Sequence, residues 1–186
     1  IMEISHRSDA FVSILNQAID DIRVLAGVPS SYKILMLQGG ASTQFSMVPM
    51  NLLDADSTAD YIDTGTWSKK ALKEAERFGR VNIAATTKDV VYSQIPTQTA
   101  LALTDGSAYT HITSNNTIEG TQWHQLPDVG DSPLISDASS DIFSRPIEIE
   151  RHGLIYAGAQ KNLGPSGVTL VLIRKDLLSR SQDTLP

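Results

Sequence analysis

The chain has 186 residues, 41% hydrophobic and 19% charged, which is enough apolar material for a substantial core and not a disordered composition. Its formal net charge of −6 comes from interspersed acids and bases, so no basic stripe argues for nucleic acid and no Lys/Arg-rich amphipathic segment argues for a membrane surface. Cysteine is absent, which excludes disulfides, thiol catalysis and thiolate metal sites; with apolar runs too short to span a bilayer and no charged leader before an apolar segment, a cytoplasmic setting is expected.

The first clear pattern is "SDAFVSILNQAIDDIRVLAGVP", with Phe11, Ile14, Leu15, Ile19, Ile22 and Leu25 at helical spacing. Ser8 or Asp9 can cap its start, and Gly27 with Pro29 stops it. "YKILMLQ" then reads as a short strand covered on both faces. "GGASTQFSMVPMNLL" turns at Gly39-Gly40 and continues as a helix that Pro49 should kink or shorten. "ADYIDTG" reads as a strand, "TWSKKALKEAERFG" as a helix closed by Gly79, and "VNIAAT" as another strand. "IPTQTALALTDGSAYTHIT" predicts a short helix, a turn at Asp105-Gly106 and a strand over Ala108–Ile112. "SPLISDASS" gives a strand ending at Asp137, "LIYAGA" and "GVTLVLI" give two more, and "KDLLSR" begins a last helix. Strands alternating with helices predict an α/β fold with a mainly parallel sheet and helices on both faces.

Ligands in such sheets sit outside the carboxyl ends of the strands, so the polar residues there are the candidates. Gly39 to Thr43 open a helix after a strand, either as a phosphate cradle or as turn geometry alone. The loop carries neither the dinucleotide fingerprint nor a Walker lysine. Trp67 is a packing aromatic or a platform for a flat ring. Asn115, Asn116 and Thr117 form a capped turn or offer neutral donors and acceptors. Asp137 follows apolar residues, where a carboxylate is expensive to bury unless paired; a cap, a salt bridge or a cationic ring nitrogen would serve. Gln160 and Lys161 follow "LIYAGA". Lys161 is a solvated surface group or a buried amine whose lowered pKa makes it a nucleophile toward carbonyl carbon.

Taken together, a phosphate cradle, a flat aromatic, a neutral donor, an acid and an amine meet the needs of pyridoxal phosphate. No metal is called for. The segments "MEISHRS", "LQGGASTQFSMVPMNLL", "ADYIDTGTWSKKALKEAERFG", "NNTIEG", "SDASSDIFSRPIE" and "AGAQKNLGPSGVT" also resemble, in order and over essentially the whole chain, the phosphoserine aminotransferase family of fold-type-I, class-V pyridoxal phosphate enzymes.

The resemblance implies a set of roles. Lys161 anchors the cofactor covalently and shuttles the proton at the substrate Cα. Asp137 pairs with the ring nitrogen, Trp67 stacks on the ring, and Thr117 bonds the phenolic-oxygen side. The amides of Ala41 and Ser42, with Gln160 nearby, hold the phosphate; many family members carry Gly-Arg at this pair. His6 and Arg7 bind the anionic group of the substrate across a homodimer interface. The implied reaction converts glutamate and 3-phosphohydroxypyruvate to 2-oxoglutarate and phosphoserine in serine biosynthesis, with a related phospho-oxo acid of pyridoxine biosynthesis as a further substrate. Residues 1–186 are expected to form the cofactor-binding large domain, with a preceding segment and a C-terminal small domain outside this sequence. Two other readings stand beside it: an inactive cofactor-binding fragment or non-catalytic anion-binding module, and a related cofactor-dependent reaction such as serine–glyoxylate transamination or cysteine desulfuration.

Overall fold

The helical spacing of the first segment forms α1 (Asp9–Leu25) in the computed structural model, which describes residues 3–180. The Ser8 side chain caps it by accepting from the Phe11 N–H at 3.3 Å, and Gly27 takes φ 61° just beyond its end. The strands are β1 (Tyr32–Leu37), β2 (Thr58–Asp63), β3 (Arg80–Thr86), β4 (Thr110–Thr113), β5 (Asn115–Asn116), β6 (Thr121–Gln122), β7 (Leu134–Asp137), β8 (Leu154–Gly158) and β9 (Thr169–Arg174). Helices α2 (Gly40–Leu52) and α3 (Thr66–Ala75) complete the α/β alternation. Pro49 has no N–H to donate, and α2 ends three residues later, where the Leu53 N–H returns to the Pro49 carbonyl at 2.9 Å.

Seven strands form one sheet in the order β1-β9-β8-β7-β4-β2-β3. The pairs β8–β7, β7–β4, β4–β2 and β2–β3 are parallel, whereas β9 runs antiparallel to both β8 and β1. Six strands therefore share one direction, as the mainly parallel expectation has it. One face packs α2 and α3 through Phe45, Val48, Ala71, Leu72 and Ala75. The other packs α1 through Ile22 against Ile34, Ile155 and Leu172. Alternate residues of the central strands serve opposite faces, Tyr156 one and Ile155 the other.

The apolar run of β1 is covered on both faces as expected, Leu35 and Leu37 packing against one core cluster and Ile34 and Met36 against the other, and the strand lies at a sheet edge with Lys33 exposed. Three sequence expectations need correction. The helix expected in "IPTQTALALT" is a single 3-10 turn at Gln98–Ala100, after which Leu101 and Leu103 pack under the sheet. "KDLLSR" forms a 3-10 helix (Lys175–Arg180), with Leu177 buried beside α2. Asn115 and Asn116 are not a simple capped turn but one strand of the β5–β6 hairpin.

Buried polar side chains tie the sheet to its loops. Asp60, wholly buried in β2, accepts from Asn82 Nδ2 (2.7 Å), the Thr104 N–H (2.9 Å) and the Thr104 hydroxyl (2.8 Å). Replacing it strands those donors, and each buried donor left unpaired costs about 1–3 kcal/mol. Asp60→Ala is expected to lower unfolding free energy by roughly 2 kcal/mol or more, read from the urea midpoint, while leaving the cleft described next intact.

Candidate active site

The shared strand direction places the carboxyl ends of β1, β2, β4, β7 and β8 on one edge, and a cleft opens there. Ala41, Ser42, Trp67, Asp137, Gln160 and Lys161 all line it. A larger cavity of about 210 Å³ lies elsewhere, among Leu35, Leu37, Met47, Val171 and Leu178. No titratable side chain lines that cavity, so it offers packing space rather than chemistry.

The turn into α2 uses Gly39 (φ 95°) and Gly40 (φ 69°). A Cβ at Gly39 would sit 2.4 Å from Thr43 Oγ1, the hydroxyl that caps the turn by donating to the Gly39 carbonyl at 2.7 Å. Ala41 and Ser42 follow in the first helical turn, where N–H groups have no intrahelical acceptor and the helix dipole favours an anion. Across the cleft, a Cβ at Gly158 would lie 2.8 Å from Gln160 Oε1 and 3.4 Å from the Ala41 nitrogen. Glycine at the end of β8 thus lets Gln160 and the start of α2 approach one another.

Asp137 ends β7 with 5% of its surface exposed. Its Oδ1 accepts from the Ser139 N–H (3.0 Å) and the Ser139 hydroxyl (2.6 Å), and Ser139 Oγ in turn accepts from the Gly158 N–H at 3.0 Å. No hydrogen bond among the described residues engages Oδ2. Burial raises the carboxyl above the usual range; the Ser139 bonds and the Lys161 charge pull it down, and Asp141 pushes it up. The anion is held in place and under-neutralised, which is a fitting partner for a cation in the cleft.

Beneath it the sheet carries a polar floor. His111 Nε2 and Tyr156 OH are 2.8 Å apart, Tyr61 OH and Tyr109 OH are 2.8 Å apart, and the Tyr61 ring stacks on His111 at 4.8 Å. Burial pushes the His111 pKa down to about 3, so the imidazole is neutral at physiological pH. Thr113 Oγ1, which lies in the cleft wall, is buried without a hydrogen-bond partner among the described residues.

Lys161 is exposed at the mouth of the cleft, not embedded in the core. The buried-amine expectation is corrected on that point: Lys161 lies in the turn after β8, outside the packed layers. Its Nζ donates to Thr117 Oγ1 at 2.7 Å and stands 5.2 Å from the centre of the Trp67 ring. Thr117 comes from the β5–β6 hairpin and Trp67 from the start of α3. Asp63, at the end of β2, fixes that start: Ser68 Oγ lies 3.1 Å from its Oδ1, and the Thr86 and Tyr92 hydroxyls each donate to Oδ2 at 3.0 Å. Burial first, then its bond to Asp63, pushes the Tyr92 phenol up to about 12.

His6 and Arg7 are exposed on the turn before α1 and line no part of the cleft. Ser139 and Thr113 contribute to the site unpredicted, and Asn115, expected to offer neutral donors and acceptors, lines it as well. Of the first two, only Ser139 left a trace in the sequence, as a hydroxyl two residues after a strand-end carboxylate, the spacing of a local side-chain to backbone turn.

The sequence profile of the family "Aminotransferase class-V" matches residues 1–186, and the chain belongs to that family. It is 54% identical over 186 residues to the phosphoserine aminotransferase of Pseudomonas aeruginosa and 55% identical to that of Pseudomonas putida, covering all of this chain and 52% of each relative. The chain thus spans about half the length of the curated relatives it matches. Among solved structures, phosphoserine aminotransferase from Bacillus circulans subsp. alkalophilus superposes with a TM-score of 0.96 at 50% identity, over the whole chain and 51% of that structure. The pyridoxal-phosphate-bound phosphoserine aminotransferase of Trichomonas vaginalis does so with 0.90 at 37% identity, over the whole chain and 52% of that structure.

A raised carboxyl in the folded state gives stability that is present at acid pH and lost as pH rises through the folded value. Asp137→Asn is therefore expected to raise the thermal midpoint of the ligand-free protein at pH 7, and the gain should shrink as pH falls toward the unfolded carboxylate value. Thermal scans between pH 4 and 8 measure it; a variant less stable than the parent at pH 7 would contradict the reading.

Proposed function

We propose that this class-V aminotransferase holds pyridoxal phosphate in the cleft and transfers the amino group of glutamate to 3-phosphohydroxypyruvate. The observation that carries the reading is the convergence of Lys161, Asp137, Trp67 and the start of α2 on one cleft, from four separate elements. The relatives named for phosphoserine support the choice of substrate. The residues fit the cofactor: free first-turn N–H groups suit its phosphate, the open Oδ2 of Asp137 suits a protonated ring nitrogen, and the Trp67 face suits a flat ring. When bound, the cofactor supplies an electron sink for the negative charge that develops at the substrate Cα.

Each side chain then has a task. The Ala41 and Ser42 amides hold the phosphate end by fixed dipoles that need no reorganisation. Asp137, its Oδ1 locked by Ser139, presents Oδ2 as counter-ion and keeps the ring nitrogen protonated. Trp67 orients the ring by stacking. The Lys161 amine would anchor the cofactor, and its Nζ would serve as the base that moves the proton of the substrate Cα. The Thr117 hydroxyl, 2.7 Å from Nζ, keeps that amine on the cleft side.

Residues 1–186 are proposed as the cofactor-binding large domain, working as a homodimer in the cytoplasm. Two observations support the dimer. His6 and Arg7 stand outside their own chain's cleft, and α1 exposes Val12, Ile14, Val24 and Leu25. An incoming phospho-oxo acid needs cations, and a partner's His6 and Arg7 would supply them.

Borohydride treatment of the loaded full-length protein should fix the cofactor to Lys161, read by peptide mass. Lys161→Ala should lower kcat for glutamate with 3-phosphohydroxypyruvate by about 10³-fold or more. Full turnover in that variant would overturn the assignment. Equal or faster turnover with glyoxylate would move the substrate assignment elsewhere in the family.

A further inference from the structure

Lys161 is flanked by two side chains from elements that do not adjoin in the sheet ladder: Thr117 on the β5–β6 hairpin and Trp67 on α3. The hairpin has only two residues in each strand, too few to hold a position by its own ladder. Something must set its distance from α3.

Glu119, at the hairpin turn, makes that link. Its Oε1 accepts from both the backbone N–H and the hydroxyl of Thr66, each at 2.8 Å. Thr66 is the first residue of α3 and precedes Trp67, so the carboxylate also meets the positive end of the helix dipole. The approach is tight: a Cβ at Gly65 would fall 2.5 Å from Glu119 Oε2, so the carboxylate in this position occupies space that glycine leaves open. Oε2 is buried and has no hydrogen-bond partner among the described residues, a cost offset by the Oε1 bonds. A second bond runs parallel to these, from Asn116 Nδ2 to Thr64 Oγ1 at 3.1 Å.

We infer that Glu119 is a positioning residue: by clamping the hairpin onto the first turn of α3, it fixes the Thr117 hydroxyl against Lys161 at a set distance from the Trp67 ring. It touches neither Lys161 nor the cleft, and acts through Thr117 and Thr66. The inference rests on the proposed cofactor site for its consequence, but the clamp itself is a property of the protein alone.

The experiment therefore has two arms on the full-length protein. In the first, pyridoxal phosphate is titrated and followed by tryptophan fluorescence and by the absorbance of the lysine-bound form. Glu119→Ala is expected to raise Kd about tenfold, the loss expected for bonds to a charged acceptor, and Glu119→Gln, which keeps an oxygen for Thr66, to restore it to within about threefold. In the second, the cofactor-free protein is labelled with acetic anhydride, and Lys161 acetylation is read by mass spectrometry. Glu119→Ala should speed it about threefold by releasing the Thr117 bond. Should that variant fail to fold, Thr66→Val removes one of the two bonds and should move both readouts in the same direction, by about threefold in Kd. A folded Glu119→Ala with a lower thermal midpoint but parental Kd and parental labelling would overturn the inference, as would an unchanged Thr66→Val. A parent protein that takes up no pyridoxal phosphate would instead overturn the proposed function, and the labelling arm would still decide the clamp.

Discussion

Strands that share one direction deliver their carboxyl ends to one edge, and everything at this site depends on that constraint. Parallel ladders need long crossovers, so each strand end is followed by a turn and a returning segment. Five such ends line this edge, four of them on adjacent strands and that of β1 beyond β9, and each is free to carry a different chemical group. Leu37 leads into the glycine turn and α2, Asp63 into Trp67, Thr113 into the hairpin with Thr117, Asp137 into Ser139, and Gly158 into Gln160 and Lys161. The reversed strand β9 leaves this arrangement untouched, because it inserts between β1 and β8 and runs back from the Lys161 turn.

The same edge concentrates polar groups that a core would otherwise exclude. Asp63 and Asp137 are both buried carboxylates at strand ends, yet their environments differ. Asp63 spends its oxygens on Ser68, Thr86 and Tyr92, and so works as a fastener for the start of α3. Among the described residues Asp137 is hydrogen-bonded only by Ser139 and keeps one oxygen available. Beneath Asp137 the pairs His111–Tyr156 and Tyr61–Tyr109 form a neutral, hydrogen-bonded floor. Burial raises the phenols of Tyr61 and Tyr156 and lowers His111, so none of these groups carries charge that would compete for a cation above.

Much of this was legible in the sequence, for stated reasons. Helix α1 declared itself through its 3.6-residue period, and Ser8 and Gly27 marked its ends. β8 is a continuous apolar run, as suits a strand buried on both faces, and β7 opens on the apolar pair Leu134-Ile135 and ends at Asp137. Asp137 stood out because a carboxylate ending such a run requires a partner. Other features were not legible. The apolar run of β1 showed its covered faces but not its place at the sheet edge, since side-chain polarity records burial and not pairing partners. Leu101 and Leu103 suggested a helix, yet they bury themselves in an extended segment beneath β3 and β4. Glu119 and Ser139 act through contacts that no local pattern encodes in full.

The sequence by itself determined the main helices and sheet strands and which residue types sit at their carboxyl ends, because helix and strand periodicity and the burial cost of charge are local properties. Long family-like segments also carried the set of candidate residues from Ala41 to Lys161. Only the tertiary structure decided that these residues share one cleft, that Lys161 stands exposed at its mouth beside Thr117, and that His6 and Arg7 do not line it. Those facts depend on strand order and on contacts between residues dozens of positions apart, such as Glu119 with Thr66 and Lys161 with Thr117, and such distances are fixed by packing rather than by local sequence.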